Sequence, residues 1–207
     1  MLVAILLNQK LAGRTGFRVA YYLPVITSWV IVSLLFTYMF SGQRGLVNFI
    51  LRDLLHLIDK NIMWLADPVM ALVPVVLVDI WKGVGWTTVI CLAGLQTVPV
   101  ELGEAAAVDG ATKGQQFFKI TLPMMRSTLV FLLVVLVLGG LNAYVPFRLI
   151  TRGDPMDMTH SILTLMYRAT FNRLDFGAGA AISYLLTLFV FVLSYFQIKL
   201  LKKPDIS

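Results

Sequence analysis

The chain has 207 residues, 58% of them hydrophobic and 14% charged, and its mean hydropathy is +0.83. Soluble domains carry about 45–50% apolar and about 25% charged residues, so the composition excludes a water-soluble globule and a disordered chain and indicates an integral membrane protein. The net charge of +6, from 17 basic and 11 acidic residues, fits loop cations on a cytoplasmic face better than nucleic-acid binding.

A spanning helix needs about 20 mostly apolar residues. Met1 to Leu7 is too short and stops at Asn8-Gln9-Lys10; it reads as the last two turns of a helix, with a short interfacial anchor as the alternative. Val19 to Phe40 is the first uncharged run of sufficient length. Gly45 to Leu55 has helical spacing and fits an interfacial helix. Pro68 to Val98 is apolar but interrupted by Pro74, Asp79 and Lys82, and reads as a tilted or kinked span. Ser127 to Phe147, between Arg126 and Arg148, and Phe176 to Ile198, between Asp175 and Lys199, complete the set. Arg152-Gly153-Asp154-Pro155 signals a turn before an amphipathic stretch from Ser161 to Phe171. The expected fold is all-α, a polytopic transmembrane helical bundle of four full spans plus a partial N-terminal helix.

Four spans put Lys10–Arg18, Pro99–Arg126 and Lys199–Ser207 on one side, with nine basic residues, and Gly42–Asp67 and Arg148–Asp175 on the other, with seven. Lys10–Arg18 and Lys199–Lys203 contain no acid. The first set is therefore expected in the cytoplasm.

The most informative segment is Val98 to Arg126. Pro99 ends one helix, and a short helix is expected from Val100 to Asp109. Ala105, Ala106 and Ala107 give it a small face, while Glu101 and Glu104 offer anionic anchors. Gly110 can adopt positive φ and turn the chain sharply. Asp109 and Lys113 are spaced to pair if the helix restarts. Phe117, Phe118, Ile120 and Leu122 turn apolar again, and Pro123 suits the first turn of the next span. An acidic helix–turn–helix knob would be repelled by an anionic leaflet, so a protein partner is the better reading.

Glu104-Ala105-Ala106, Gly110 and Ile120-x-Leu122-Pro123, at this spacing, resemble the EAA loop of binding-protein-dependent ABC transporter permeases. The fuller pattern, with Pro99, Glu101, Leu102, Asp109 and Ala111, resembles the sugar-type branch. Phe17-Arg18, Tyr22-Leu23-Pro24, Gly45-Leu46-Val47-Asn48, Asp79-Ile80-Trp81-Lys82, Ala93-Gly94-Leu95-Gln96 and Asp175-Phe176-Gly177 extend the similarity over nearly the whole chain. The resemblance implies that the loop docks into a cytoplasmic ATPase, with Glu104 meeting a basic residue and Gly110 setting the bend. It also implies a second permease subunit, an extracytoplasmic solute-binding protein and a carbohydrate or polyol solute, in a bacterial inner membrane. Residues 1–200 would be the permease domain and 201–207 a cytoplasmic tail. Relative to that family the first span and most of the second are missing, as a misplaced start codon, an engineered truncation or a degraded gene would produce. Gly103 and Gly114 stand where the family commonly has tyrosine and tryptophan, and Thr151 to Pro155 only partly keeps its glycine-rich turn.

Asp79 and Lys82 share a helical face within a span, where charges must pair or face a polar cavity. They read as solute-path residues or as a structural ion pair with Lys82 snorkelling. Trp81 and Trp86 read as interface anchors before platforms for a sugar ring, and Trp81 is kept with Asn142 and Tyr144 among the possible solute-path residues. Gly139-Gly140 reads as a close-packing site or a hinge, the former being commoner. His56 and His160 lack metal-ligand spacing and read as ordinary outer-loop residues. With one cysteine, no H-E-x-x-H, no G-x-S-x-G and no phosphate loop, neither a metal, a cofactor nor a catalytic residue is expected. The alternatives are a permease for another solute, such as a phosphorylated polyol, and a non-transporting membrane scaffold or defective fragment.

Overall fold

A computed structural model describes residues 1–8 and 14–201. Lys10, Lys202, Lys203 and residues 202–207 of the expected tail lie outside the described residues. In chain order the helices are α1 (Leu2–Asn8), α2 (Arg14–Ile26), α3 (Trp29–Met39), α4 (Leu46–Phe49), α5 (Pro68–Gln96), α6 (Val100–Val108), α7 (Lys113–Gln116), α8 (Leu122–Met124), α9 (Arg126–Leu141), α10 (Ile162–Tyr167) and α11 (Phe176–Leu201). π-helical turns continue α4 over Ile50–Leu54, join α7 to α8 over Phe117–Thr121, cover Phe147–Thr151, and continue α10 over Arg168–Asn172. All regular structure among the described residues is helical, as the composition implies.

Two helices are long and apolar enough to cross a membrane, Pro68–Gln96 and the 24-residue stretch Phe176–Lys199. α5 runs unbroken through Pro74, its 29 residues giving about 43 Å at 1.5 Å per residue. A proline in the second turn removes a single hydrogen bond. α11 begins where the Asp175 carboxylate accepts from the Ala178 N–H at 2.9 Å. Only 11% of its most apolar window is buried, leaving Tyr184, Leu188 and Phe191 outward. Such a helix needs lipid or a partner around it.

The other two expected spans are not single helices. Val19 to Phe40 breaks after Ile26, and the two helical pieces are bent by 99°. Ser127 to Phe147 is one helix only to Leu141, because Gly139, Gly140 and Asn142 are weak helix formers and the Asn142 amide bonds back to the Leu138 carbonyl at 2.8 Å. Lys113–Met124 and Arg126–Leu141 pass the span test only together, bent by 68°. The helices thus support two to four crossings, depending on whether each bent pair counts as one.

The chain forms two compact units. The first comprises Met1–Val25, Gly83–Val137 and Ser194–Ser207. Its core gathers Ala4 of α1, Cys91, Leu92 and Leu95 of α5, Met125 and Leu132. The short N-terminal helix thus contributes to this core, with Ala4 wholly buried. Trp86 packs on this cluster. The second unit comprises Ile26–Lys82 and Leu138–Leu193. Its core is Val32, Val75, Val78 and Ile150, with Phe36, Leu65 and Phe147 against it. Val75 and Val78 meet there because residues three apart share a helical face.

Candidate functional site

Pro99, with φ −59° and ψ 131°, separates α5 from α6 and stands at the N-cap. α6 ends one residue earlier than expected, with Asp109 as its C-cap. The Ala111 N–H reaches the Ala106 carbonyl at 2.9 Å and the Gly110 N–H reaches Ala107 at 3.1 Å. This pair of bonds is the Schellman closure, and it places Gly110 in the left-handed region at φ +80°. A Cβ on Gly110 would meet nothing within 4 Å, so backbone conformation alone selects glycine. Glu101, Glu104, Ala105 and Asp109 are exposed and Ala106 is half-buried. Val100 and Val108, 69% and 88% exposed, show how little of α6 is covered by its own chain.

The helix restarts with a device the sequence reading passed over. Thr112 and Gln115 form a reciprocal capping box, the Gln115 N–H donating to Thr112 Oγ1 at 3.3 Å and the Thr112 N–H to Gln115 Oε1 at 2.8 Å. The expected Asp109–Lys113 ion pair is not among the described ion pairs; Asp109 faces solvent and the caps do the joining. The Gln116 amide also donates to the Ala111 carbonyl at 3.0 Å, tying the restart to the turn. Ile120 lies in the π-turn and Leu122 in α8, both half-buried, and Pro123 is exposed. Pro123 precedes the bend at Met125, and the next long helix starts at Arg126. That corrects the expectation of Pro123 in its first turn. The result is a protruding helix–turn–helix closed at each joint by defined bonds.

The solute-path candidates are not brought into one cluster. Lys82 is 5% exposed, and its ammonium donates to the Thr27 carbonyl at 2.6 Å and lies 4.7 Å from the centroid of a Trp29 ring. An Asp79–Lys82 bridge is not among the described ion pairs. The Thr27 carbonyl lies at the break between α2 and α3, where the helix ladder of hydrogen bonds stops. Asp79 is half-buried, and Trp81 lies 6.3 Å from Phe36, ring to ring. Asn142 is exposed and bonded within its own helix end, and the Tyr144 ring lies tilted against Tyr167 with centroids 5.6 Å apart. Gly139 and Gly140 face open space, so no element of the chain packs closely on them.

Two polar centres escaped the sequence reading because their partners are distant or inside turns. Asn48, 2% exposed, donates to the Gly42 and Ile62 carbonyls at 2.9 Å each, and its Oδ1 accepts from the Ile62 N–H at 3.2 Å and Trp64 Nε1 at 3.0 Å. It holds the segment after α3 together. His160, expected to be ordinary, is 9% exposed at its side chain, with Nδ1 3.2 Å from Thr164 Oγ1 and Nε2 3.1 Å from Arg168 Nη1. Arg168 in turn pairs with Asp157 at 2.6 Å. The Arg168 hydrogen bond holds the Asp157 carboxyl below its ordinary range.

Residues 1–204 match the family model of the binding-protein-dependent transport system inner membrane component. A probable ABC transporter permease protein of Pyrococcus horikoshii is 34% identical over 192 residues, covering 93% of this chain and 65% of that protein. The trehalose/maltose transport system permease protein MalF of Thermococcus litoralis is 35% identical over 192 residues, covering 93% and 63%. The chain thus spans just under two thirds of these two relatives. A crystal structure of a bacterial alginate ABC transporter, in complex with an alginate pentasaccharide-bound periplasmic protein, contains a chain that superposes with a TM-score of 0.84 at 26% identity, covering 95% of this chain and 68% of that one. The chain therefore belongs to the family of binding-protein-dependent transport system inner membrane components.

Proposed function

We propose that the chain is a pore-forming permease subunit of an ABC importer for a sugar, oligosaccharide or polyol, with α6 and its capped restart as the element that couples it to a separate ATPase. The observation that carries this reading is the exposed α6–Gly110–Thr112 knob, whose joints are fixed by backbone bonds while its surface is left bare. A rigid, uncovered, acidic projection suits transmission of force into a partner cleft. Glu101 and Glu104 meet cations there, and Ala105 and Ala106 allow close approach. ATP-driven closure of the ATPase pushes on this knob and tips the bundle between inward-facing and outward-facing states. A second permease subunit completes the pore, and an extracytoplasmic binding protein delivers the solute. The knob lies on the cytoplasmic side, each bent pair counts as one crossing, and the outward apolar surface of α11 meets lipid or the second permease. The sugar class is supported by the EAA pattern of the sugar branch and by relatives with sugar-transport names. Copurification of the chain with a candidate ATPase, then solute-stimulated ATP hydrolysis in liposomes, tests the reading. A stable complex with hydrolysis unresponsive to any sugar or polyol contradicts it.

A further inference from the structure

Between α9 and α11, within the second unit, a cleft of about 220 Å³ opens among Arg148, Arg152, Asp154, His160, Tyr167 and Arg168. Its walls are held by short bonds. Thr159 Oγ1 donates to the Asp154 carbonyl at 2.6 Å, the Thr159 N–H to the Gly153 carbonyl at 3.2 Å, and Thr151 Oγ1 to the Phe147 carbonyl at 3.0 Å. Gly153, at φ +94°, has the His160 imidazole where a Cβ would stand, so the loop and the ring fix one another.

The charges in this cleft do not balance. Asp157 neutralises Arg168. An arginine has no lone pair, so in the 3.1 Å contact Arg168 Nη1 donates to His160 Nε2. The 3.4 Å contact of Nε2 to Asp157 is the weaker competitor. Arg148 lies over the Tyr167 ring at 5.5 Å, and neither Arg148 nor Arg152 has a carboxylate partner among the described residues. Asp154 is the one remaining carboxylate of the lining, exposed and outside any described ion pair. The lining thus holds three guanidiniums against two carboxylates, and neither Arg148 nor Arg152 is ion-paired among the described residues. Beside them Tyr144, Tyr167 and Phe171 form an aromatic series with centroids 5.6 and 4.9 Å apart.

Guanidiniums recognise planar oxyanions with paired N–H donors, and aromatic faces accept apolar ring surfaces. The volume corresponds to about seven waters, room for one sugar ring. We propose that the cleft is an oxyanion-binding site that takes the carboxylate or phosphate of an acidic sugar unit, with Arg148 and Arg152 supplying the charge and Tyr167 the platform. The assignment of a sugar rests on the permease reading above; the oxyanion site does not. A lipid phosphate offers the same chemistry.

The test uses the full chain in nanodiscs of zwitterionic lipid, titrated calorimetrically with glucuronate, inorganic phosphate and glucose at constant ionic strength. Glucuronate is expected to bind at least tenfold more tightly than glucose, and Arg148→Gln with Arg152→Gln to remove that preference, while Arg44→Gln leaves it intact. Arg152→Gln alone, at an exposed position, is expected to weaken glucuronate several-fold and guards against misfolding of the double variant. Competition by phosphatidylglycerol that disappears in the double variant assigns the oxyanion to lipid. Equal binding of glucuronate and glucose without lipid competition overturns the site, as does unchanged affinity in the folded double variant. A chain that joins the ATPase and imports neutral sugar, yet shows no oxyanion preference, fails only this proposal; failure to join the ATPase bears on the permease reading instead.

Discussion

The ammonium of Lys82, in α5, donates to the carbonyl of Thr27, fifty-five residues earlier, across 2.6 Å. Thr27 lies just beyond the end of α2, where the hydrogen-bond ladder stops and carbonyls are left without intrahelical donors. A cation in an apolar helix thus stabilises a break in another helix, and the Trp29 ring covers it. Lys82→Met removes the bond to this carbonyl and is expected to destabilise the fold by about 1–3 kcal/mol. Lys82→Arg keeps a donor in reach and should lose less. Thermal unfolding in detergent, with Trp29 emission as a local reporter, checks the order.

Asn48 supplies the sharper stability test. Its side chain serves two carbonyls and two N–H groups in a site that is 2% exposed. Asn48→Ala strands all four, and even partial recovery by water leaves a loss of at least about 3 kcal/mol. Trp64 Nε1 loses its acceptor in the same step, so its emission should shift when the variant is still folded.

How much of this was legible in the sequence depends on the range of each interaction. α5 and α11 follow from long apolar runs, and α6 from its punctuation by Pro99 and Gly110, all local signals. The break at Thr27-Ser28 was not legible, because the residues around it are as apolar as a continuous span and its stabiliser lies in another helix. The Asn48 hub and the His160 cluster were hidden for the same reason: their meaning comes from partners that folding brings near. The capping box at Thr112 is a local signal, T-x-x-Q, and is legible in the sequence. Of the coupling residues, Glu101 to Gly110 share one exposed helix and turn, whereas the solute-path candidates are scattered.

The Asp157–Arg168 bridge makes a pH prediction. The Asp157 carboxyl is held below its ordinary value of 3.8, chiefly by the Arg168 hydrogen bond. Its contribution is therefore complete above that value and is lost as pH falls through the lowered one. Asp157→Asn should lie below the wild type in unfolding temperature at pH 6, and the gap should close as pH drops below about 4. A gap that stays constant to pH 3 rules out this ion pair as its source.

Gly110 separates backbone strain from packing. Its φ of +80° costs an alanine about 1–2 kcal/mol, although the site is open to a side chain. Gly110→Asn should be milder than Gly110→Ala, since asparagine tolerates the left-handed region, and Gly110→Pro should disorder the joint. Limited proteolysis between Val108 and Lys113 ranks the three.

The central claim is that α6 and its turn carry force from an ATPase. Its most direct test is Glu104→Arg measured twice, for copurification with the ATPase and for solute uptake by the assembled complex. Glu104 is exposed, so the variant should fold as the wild type does. The account predicts that it loses the ATPase or, where the complex survives, loses uptake. Full uptake with the ATPase still bound would contradict it.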